Sequence, residues 1–260
     1  MGPVHFGGSV MMDFSGQHVV ITGGSTGIGR ATAERIAALG GTVTLLARRP
    51  TVLWEAVSAI GPAAFAIPCD VGDKAALLAA LDKAVEQCGP IDGLFLNAAA
   101  PGTYALTSDY TDEAFAETLL VNVWSPFWAL RHVLPGMVAR GKGAILLTGT
   151  LGAVRGMAGN MGYCVSKHAT LGLARTVAME AAASGVRCNC LHPGFIDTPM
   201  MNGAPAEAVA AMVATTPQGR IGRPEEAGAV AAFLLSDLAS HVTGQELAVD
   251  GGVLGTLAIR

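Results

Sequence analysis

Short runs of apolar and β-branched residues alternate along this chain with longer stretches whose apolar positions recur at helical spacing. The runs Gln17–Thr22 (QHVVIT), Thr42–Ala47 (TVTLLA), Ala64–Pro68, Ile91–Leu96 (IDGLFL), Ala144–Leu147, Val186–Leu191 and Glu246–Val249 (ELAV) read as seven strands. Helical patterns follow the glycines at 23–29 through Ala38, and then run from about Asp73 to Cys88 and from about Asp112 to Val138. A further one carries Tyr163 and Lys167 to about Ala183, and another runs from Pro224 to Leu235. Asn202–Thr216, rich in Ala and Met, reads as one or two short, mobile helices. Thr111 is the expected N-cap of the Asp112 helix, and Pro126 predicts a kink in it. No helix is assigned between the second and third strands. Strands alternating with helices predict an α/β fold with a mostly parallel sheet covered on both faces.

Composition sharpens this picture. Apolar residues make up 51% of the chain and charged residues 14%, as expected where strands are buried on both sides. Residues 14–260 read as one domain with no linker, after an extension at 1–13 that lacks the basic start and apolar core of a secretion signal. The net charge is −4 without a Lys/Arg cluster, which argues against nucleic acid as a partner. No uninterrupted apolar run is long enough for a membrane span. Five cysteines without zinc-type spacing read as reduced thiols in a cytoplasmic protein. The six histidines are scattered, so no metal ligand set is expected.

The chemistry lies at the strand ends. Gly23-Gly24-Ser25-Thr26-Gly27-Ile28-Gly29 stands between a strand and a helix, where glycines let the backbone approach a pyrophosphate at a helix N-terminus. The second strand ends in Ala47-Arg48-Arg49, where a dinucleotide fold selective for a free ribose 2′-OH carries an acid. Arginine pairs instead with a 2′-phosphate, so NADP(H) is favoured, with NAD(H) as the alternative. Asp70 is read either as an acceptor for an adenine amino group or as the cap of the following helix. Asn97-Ala98 ends the fourth strand, and Asn122 sits in an apolar helix interior, where its amide needs partners. Tyr163 and Lys167 lie four residues apart, on one helix face. An isolated pair of this kind is most often an amphipathic tyrosine beside a solvated lysine. Here the ammonium is expected to lower the phenol's pKa and make it a proton donor and acceptor near neutrality.

Taken together, these residues resemble the short-chain dehydrogenase/reductase family from about Gly16 to Gly252. The resemblance rests on Thr22-Gly23-x-x-x-Gly27-x-Gly29, Asp70, Asn97-Ala98, Asn122, Tyr163-x-x-x-Lys167, Pro193-Gly194 with Thr198, and the closing TGQELAVDGG from Thr243. It implies a doubly wound, Rossmann-type, seven-stranded sheet and ketone–alcohol interconversion by hydride transfer. Tyr163 would be the general acid or base, Lys167 would tune it and bind the nicotinamide ribose, and Asn122 would hold a relay water. Thr150 takes the position of the family's usual serine, thirteen residues before the tyrosine, with Thr148 as an ill-spaced competitor. Ala99 replaces the family's usual glycine after Asn97-Ala98. Gly23, Ser25, Thr26, Gly27 and Ile28 would line the cofactor loop. Arg48, Arg49, Asp70, Val71, Asn97 and Ala98 would meet the adenosine half or ribose, and Pro193, Ile196 and Thr198 the nicotinamide.

A substrate lid is expected at about 195–217, made adaptable by Met200, Met201 and Met212, with Gly156, Met157, Asn160 and Met161 completing the pocket. Without an evident basic anchor, the expected small-molecule substrate is an uncharged, largely apolar ketone or alcohol. The resemblance also implies a homotetramer, paired through the Asp112 and Tyr163 helices and through the last strand. Two other readings stand beside this one. A 3-oxoacyl-thioester reductase would use Arg131, Arg140 or Arg175 at its entrance. A regulatory protein that binds the nucleotide without catalysis is the other, and retention of Tyr163, Lys167 and Asn122 argues against it.

Overall fold

The computed structural model describes residues 11–256. Residues 1–10 of the expected extension and 257–260 of the expected domain lie outside them. Seven strands form one sheet: β1 (His18–Thr22), β2 (Thr42–Ala47), β3 (Ala64–Pro68), β4 (Gly93–Leu96), β5 (Gly143–Thr148), β6 (Val186–Pro193) and β7 (Glu246–Val249). Their order is β3-β2-β1-β4-β5-β6-β7, and every neighbouring pair is parallel. Eight α-helices accompany them among the described residues: α1 (Gly27–Ala38), α2 (Pro50–Ile60), α3 (Lys74–Cys88), α4 (Asp112–Leu119), α5 (Ser125–Arg140), α6 (Met161–Ala181), α7 (Ala206–Thr215) and α8 (Pro224–Leu235). The strand order reverses between β1 and β4, so a crevice opens at their C-terminal ends, the place where such sheets bind ligands.

Alternate side chains of the inner strands enter two separate cores. Leu94, Ile145 and Cys188 pack with Leu81, Met137 and Leu171 of α3, α5 and α6. Phe95, Leu146 and Leu45 pack with Ile36, Leu53 and Leu235 of α1, α2 and α8 on the opposite face. Each fully buried Leu, Ile or Phe stabilises the fold by about 2 kcal/mol. The end of α8 and the loop that follows it are tied to β6. Arg187 donates to the carbonyls of Leu234 and Ser236 at 2.8 and 2.9 Å, and the Asn189 amide donates to Val242 at 2.8 Å.

The elements depart from the sequence reading in two places. Helix α2 has no counterpart in that reading, although Leu53, Ala56, Val57 and Ile60 recur at helical spacing; Leu53 and Ala56 are buried, Val57 and Ile60 pack against the same core, and Trp54 is 54% exposed. The single helix expected from Asp112 to Val138 is instead α4 and α5 joined by a π-helical turn, Leu120–Trp124. Pro126 has no N–H to offer the Asn122 carbonyl four residues earlier. The Thr170 hydroxyl donates to that carbonyl at 3.2 Å.

Candidate active site

The crevice is built from three strand ends that Asn97 holds together. Its amide nitrogen donates to the carbonyls of Thr22 and Gly23 at 3.2 and 3.3 Å, and its Oδ1 accepts from the Thr148 hydroxyl at 3.3 Å. The Thr22 hydroxyl accepts from the backbone N–H groups of Asn97 and Ala98 at 3.0 and 3.1 Å. The Asn97 side chain is thus committed to joining β1, β4 and β5. At Gly29 a Cβ would strike the Gly23 carbonyl oxygen, so only glycine lets α1 approach the loop this closely.

Helix α1 starts after Thr26 with no side-chain cap bond and no acidic residue in its first turn. Its first N–H groups are therefore suited to an anion. Ser25 is buried, while Gly23, Thr26, Gly27 and Ile28 are partly open. Thr198 stands beside Gly27, where a Cβ would lie 3.0 Å from its methyl group. This cradle fits a dinucleotide pyrophosphate.

The remaining predicted cofactor residues lie at neighbouring strand ends. Arg48 and Arg49 are exposed after β2 and make no ion pair among the described residues. Asp70 is exposed and accepts from the Gly72 N–H at 2.9 Å; the cap of α3 is Asp73, which accepts from Ala76 at 3.1 Å. Val71 is 5% exposed and sends its side chain into the core. Pro193 ends β6, and buried Ile196 bridges to Gly222.

Tyr163, Lys167 and Thr150 meet beyond β5. Asn160, 1% exposed, caps α6 by accepting from the Tyr163 N–H at 3.4 Å and donates to the Pro101 carbonyl at 2.9 Å. It fixes the start of the tyrosine helix and the loop after β4 together. The Lys167 ammonium is 2% exposed, donates to the Thr148 carbonyl at 2.7 Å and lies 5.6 Å from the Tyr163 ring centroid. Burial lowers the Lys167 pKa to about 8. Burial also raises that of Tyr163, against an opposing hydrogen bond involving Thr150. The expected lowering of the tyrosine pKa is therefore not what the structure has. Loss of water around the phenol outweighs the Thr150 hydrogen bond, and the ammonium is directed at the Thr148 carbonyl over the ring face.

Asn122 is 2% exposed, and its amide is satisfied within the protein. Its Oδ1 accepts from the Ala100 N–H at 2.8 Å, while its Nδ2 donates to the Ala100 carbonyl and the Ser166 hydroxyl, both at 3.0 Å. Several parts of the site were not read from the sequence. They are the double role of Asn160, the Thr148 carbonyl that holds Lys167, and Tyr104, which lies within electrostatic range of Tyr163. An asparagine three residues before the tyrosine is a capping signal that points to the first. Loop residues such as Tyr104 carry no such signal.

The segment expected to form the lid is bonded to the body of the protein at its base and exposed beyond. The Asp197 N–H donates to the Gly222 carbonyl at 2.9 Å, and the Gly222 N–H donates to the Phe195 carbonyl at 2.9 Å. No residue of α7 is buried, and Met200 is 52% exposed.

Comparisons with known proteins agree with this geometry. The sequence model described as enoyl-(acyl carrier protein) reductase matches residues 23–254. Levodione reductase of Leifsonia aquatica is 35% identical, over 92% of this chain and 94% of its own. A crystal structure of levodione reductase superposes with a TM-score of 0.91 at 33% identity, covering 94% of this chain and 100% of the other. Cyclohexanol dehydrogenase of an Acinetobacter species (strain SE19) is 36% identical, over 92% and 95%. The 3-oxoacyl-(acyl-carrier-protein) reductase of Escherichia coli (strain K12) is 31% identical, over 93% and 99%. The chain belongs to the short-chain dehydrogenase/reductase family, nicotinamide-dependent oxidoreductases acting on CH–OH and C=O groups.

Proposed function

We propose that this short-chain dehydrogenase/reductase uses NADP(H) to interconvert an uncharged cyclic ketone and its secondary alcohol. Tyr163 is the general acid in reduction and the general base in oxidation. The observation that carries this reading is the convergence of the Tyr163 phenol, the Thr150 hydroxyl and the buried Lys167 beside the crevice at the strand-order reversal. A bound nicotinamide supplies or accepts the hydride at the carbonyl carbon.

The chain's own residues manage the proton and the orientation. The raised pKa keeps Tyr163 a neutral phenol, the state that donates to the substrate oxygen. The Thr150 hydroxyl orients that oxygen. The Lys167 ammonium, isolated from water, favours the charge that the phenol takes on when it gives up its proton. The Asn122 amide holds the loop after β4, and its carbonyl, which accepts from the Thr170 hydroxyl, keeps a second lone pair that would hold a relay water. Arg48, alone or with Arg49, would meet a 2′-phosphate.

A cyclic substrate is supported by the cyclohexanol dehydrogenase relative and by the apolar lid over 195–217. The five free thiols suit a reducing cytoplasm, and no helix among the described residues is long and apolar enough to cross a membrane.

A second reading, 3-oxoacyl-thioester reduction, is favoured by the Escherichia coli relative. Two of its three candidate arginines are engaged within the chain. Arg140 donates to the Gly136 and Ile91 carbonyls, and Arg175 pairs with Glu246 at 3.6 Å.

The test is NADPH and NADH oxidation with cyclohexanones, open-chain ketones and 3-oxoacyl thioesters side by side. Turnover of ring ketones with NADPH is the expected result, and fastest turnover of the thioesters would transfer the function to the second reading. Binding of the cofactor without turnover of any carbonyl compound would overturn both.

A further inference from the structure

A buried histidine that the mechanism above does not use stands directly behind the catalytic residues. His192 is 1% exposed and sits near the end of β6. It shares a sheet face with Cys188 and Cys190, the face covered by α6. Its ring occupies the space above Gly149, where a Cβ would collide with ring atoms Nδ1 and Cε1. Gly149 lies between the two threonines that matter: Thr148, whose carbonyl holds Lys167, and Thr150, whose hydroxyl serves Tyr163. The Gly149 N–H donates to the Leu191 carbonyl at 2.7 Å, so backbone and imidazole fix this residue from two sides.

The imidazole is itself held. Its Nε2 lies 3.1 Å from Glu246 Oε2 on β7, and Arg175 of α6 lies 3.6 Å from the other carboxylate oxygen. A carboxylate only accepts, so Nε2 carries the proton and Nδ1 is left as an acceptor. The Cys190 thiol lies 3.9 Å from Nδ1. The charged and titratable groups facing the ring are thus Glu246 from β7, Cys190 from β6, and Lys167 and Arg175 from α6.

We propose that His192, oriented by Glu246, is a positioning residue: as a neutral imidazole it wedges the Thr148–Gly149–Thr150 strip in place and so sets the Thr150 hydroxyl and the Lys167 ammonium for Tyr163. The neutral state matters because an imidazolium would place a second cation beside Lys167. Burial and the two α6 cations disfavour that state, while Glu246 favours it, and the outcome is a pKa below the ordinary histidine value. The pair also links the reactive end of the site to the edge strand, since Glu246 is 37% exposed.

This inference rests on the proposed function, and its test separates the two. In Glu246→Gln, a substitution at the sheet edge that leaves the core intact, the carboxylate's field is lost. The expected results are a lower kcat, an unchanged KM for cofactor and ketone, and an alkaline limb of the pH–rate profile moved to lower pH. In His192→Ala, kcat is expected to fall about tenfold to a hundredfold, the scale of a small misplacement of reacting groups. Gly149→Ala should be worse than the double variant Gly149→Ala/His192→Ala, because only the double variant makes room for the new methyl group.

A measurement independent of turnover is the NMR titration of the His192 ring, identified by its loss in His192→Ala. Its midpoint should lie below that of an exposed histidine and rise in Lys167→Met. Unchanged kcat and pH profile in both Glu246→Gln and His192→Ala would overturn the inference, as would a His192 midpoint indifferent to Lys167. An inactive wild type would instead contradict the proposed function, and the NMR titration would still test the coupling.

Discussion

Burial pushes both Tyr163 and Lys167 toward their uncharged forms, yet with a pKa of about 8 Lys167 still carries its ammonium at neutral pH. For Lys167 this has a measurable consequence for stability. Its pKa falls from 10.5 to about 8 in the folded chain, so below pH 8 folding buries an ammonium at a cost. Between about pH 8 and 10.5 the unfolded chain still binds the proton and the folded chain does not, so stability rises with pH. Relative to Lys167→Met, the wild type is expected to gain about 3 kcal/mol across that window in denaturant titrations at several pH values. A constant difference between the two proteins would contradict a buried, titrating lysine. At the cofactor end, Arg48→Ala is expected to weaken NADPH about tenfold to a hundredfold, the worth of a hydrogen bond to a charged group, and to leave NADH nearly unchanged. Equal losses by fluorescence titration would remove the 2′-phosphate argument. Spacing and the family resemblance together single out Tyr163, Lys167 and Asn122, and Thr150 is legible only through the resemblance. The direction of the tyrosine's pKa was not legible, because spacing says which groups are neighbours and not how much water they have lost. For the same reason His192 looked like one scattered histidine among six.

The break between α4 and α5 and the cap of α6 decide where the catalytic side chains stand. The π-helical turn turns the Asn122 amide onto Ala100 and leaves its carbonyl to Thr170. Pro126 marked a kink here, but a proline does not specify whether the helix bends or gains a π turn, and that depended on the partners of Asn122. Asn160 joins α6 to the loop after β4. Asn160→Ala is expected to cost about 1 kcal/mol of stability as a lost cap, and to lower kcat while cofactor binding persists. Melting curves and separate kcat and KM values check this, and a variant with wild-type kcat would show the link to be structural only. The strands at Thr42–Ala47, Ala64–Pro68 and Glu246–Val249 were legible to the residue, and so was the helix at Pro224–Leu235. Helix α2 does carry a helical stripe in Leu53, Ala56, Val57 and Ile60, but over only eleven residues that begin at Pro50.

At the scale of the molecule, alternation of strand and helix sufficed to predict a parallel sheet covered on both faces, and the glycine loop located the crevice at its strand-order reversal. Assembly is an expectation of the family resemblance alone, because an exposed apolar residue in a sequence looks like a buried one. In the folded chain Leu120, Trp124 and Phe127 are 36%, 52% and 37% exposed, and Met161 and Val165 of α6 are exposed with them. An apolar surface of this kind suits pairing of these helices between copies. The wild type is therefore expected to be a tetramer by light scattering, and Trp124→Glu to yield smaller species. A monomeric wild type would contradict the assembly. The most direct test of the account compares the wild type with Tyr163→Phe, measuring NADPH binding by fluorescence and cyclohexanone reduction on the same preparations. The account predicts equal NADPH binding and loss of turnover in the variant alone. Turnover that survives the loss of the phenol would contradict Tyr163 as the proton donor.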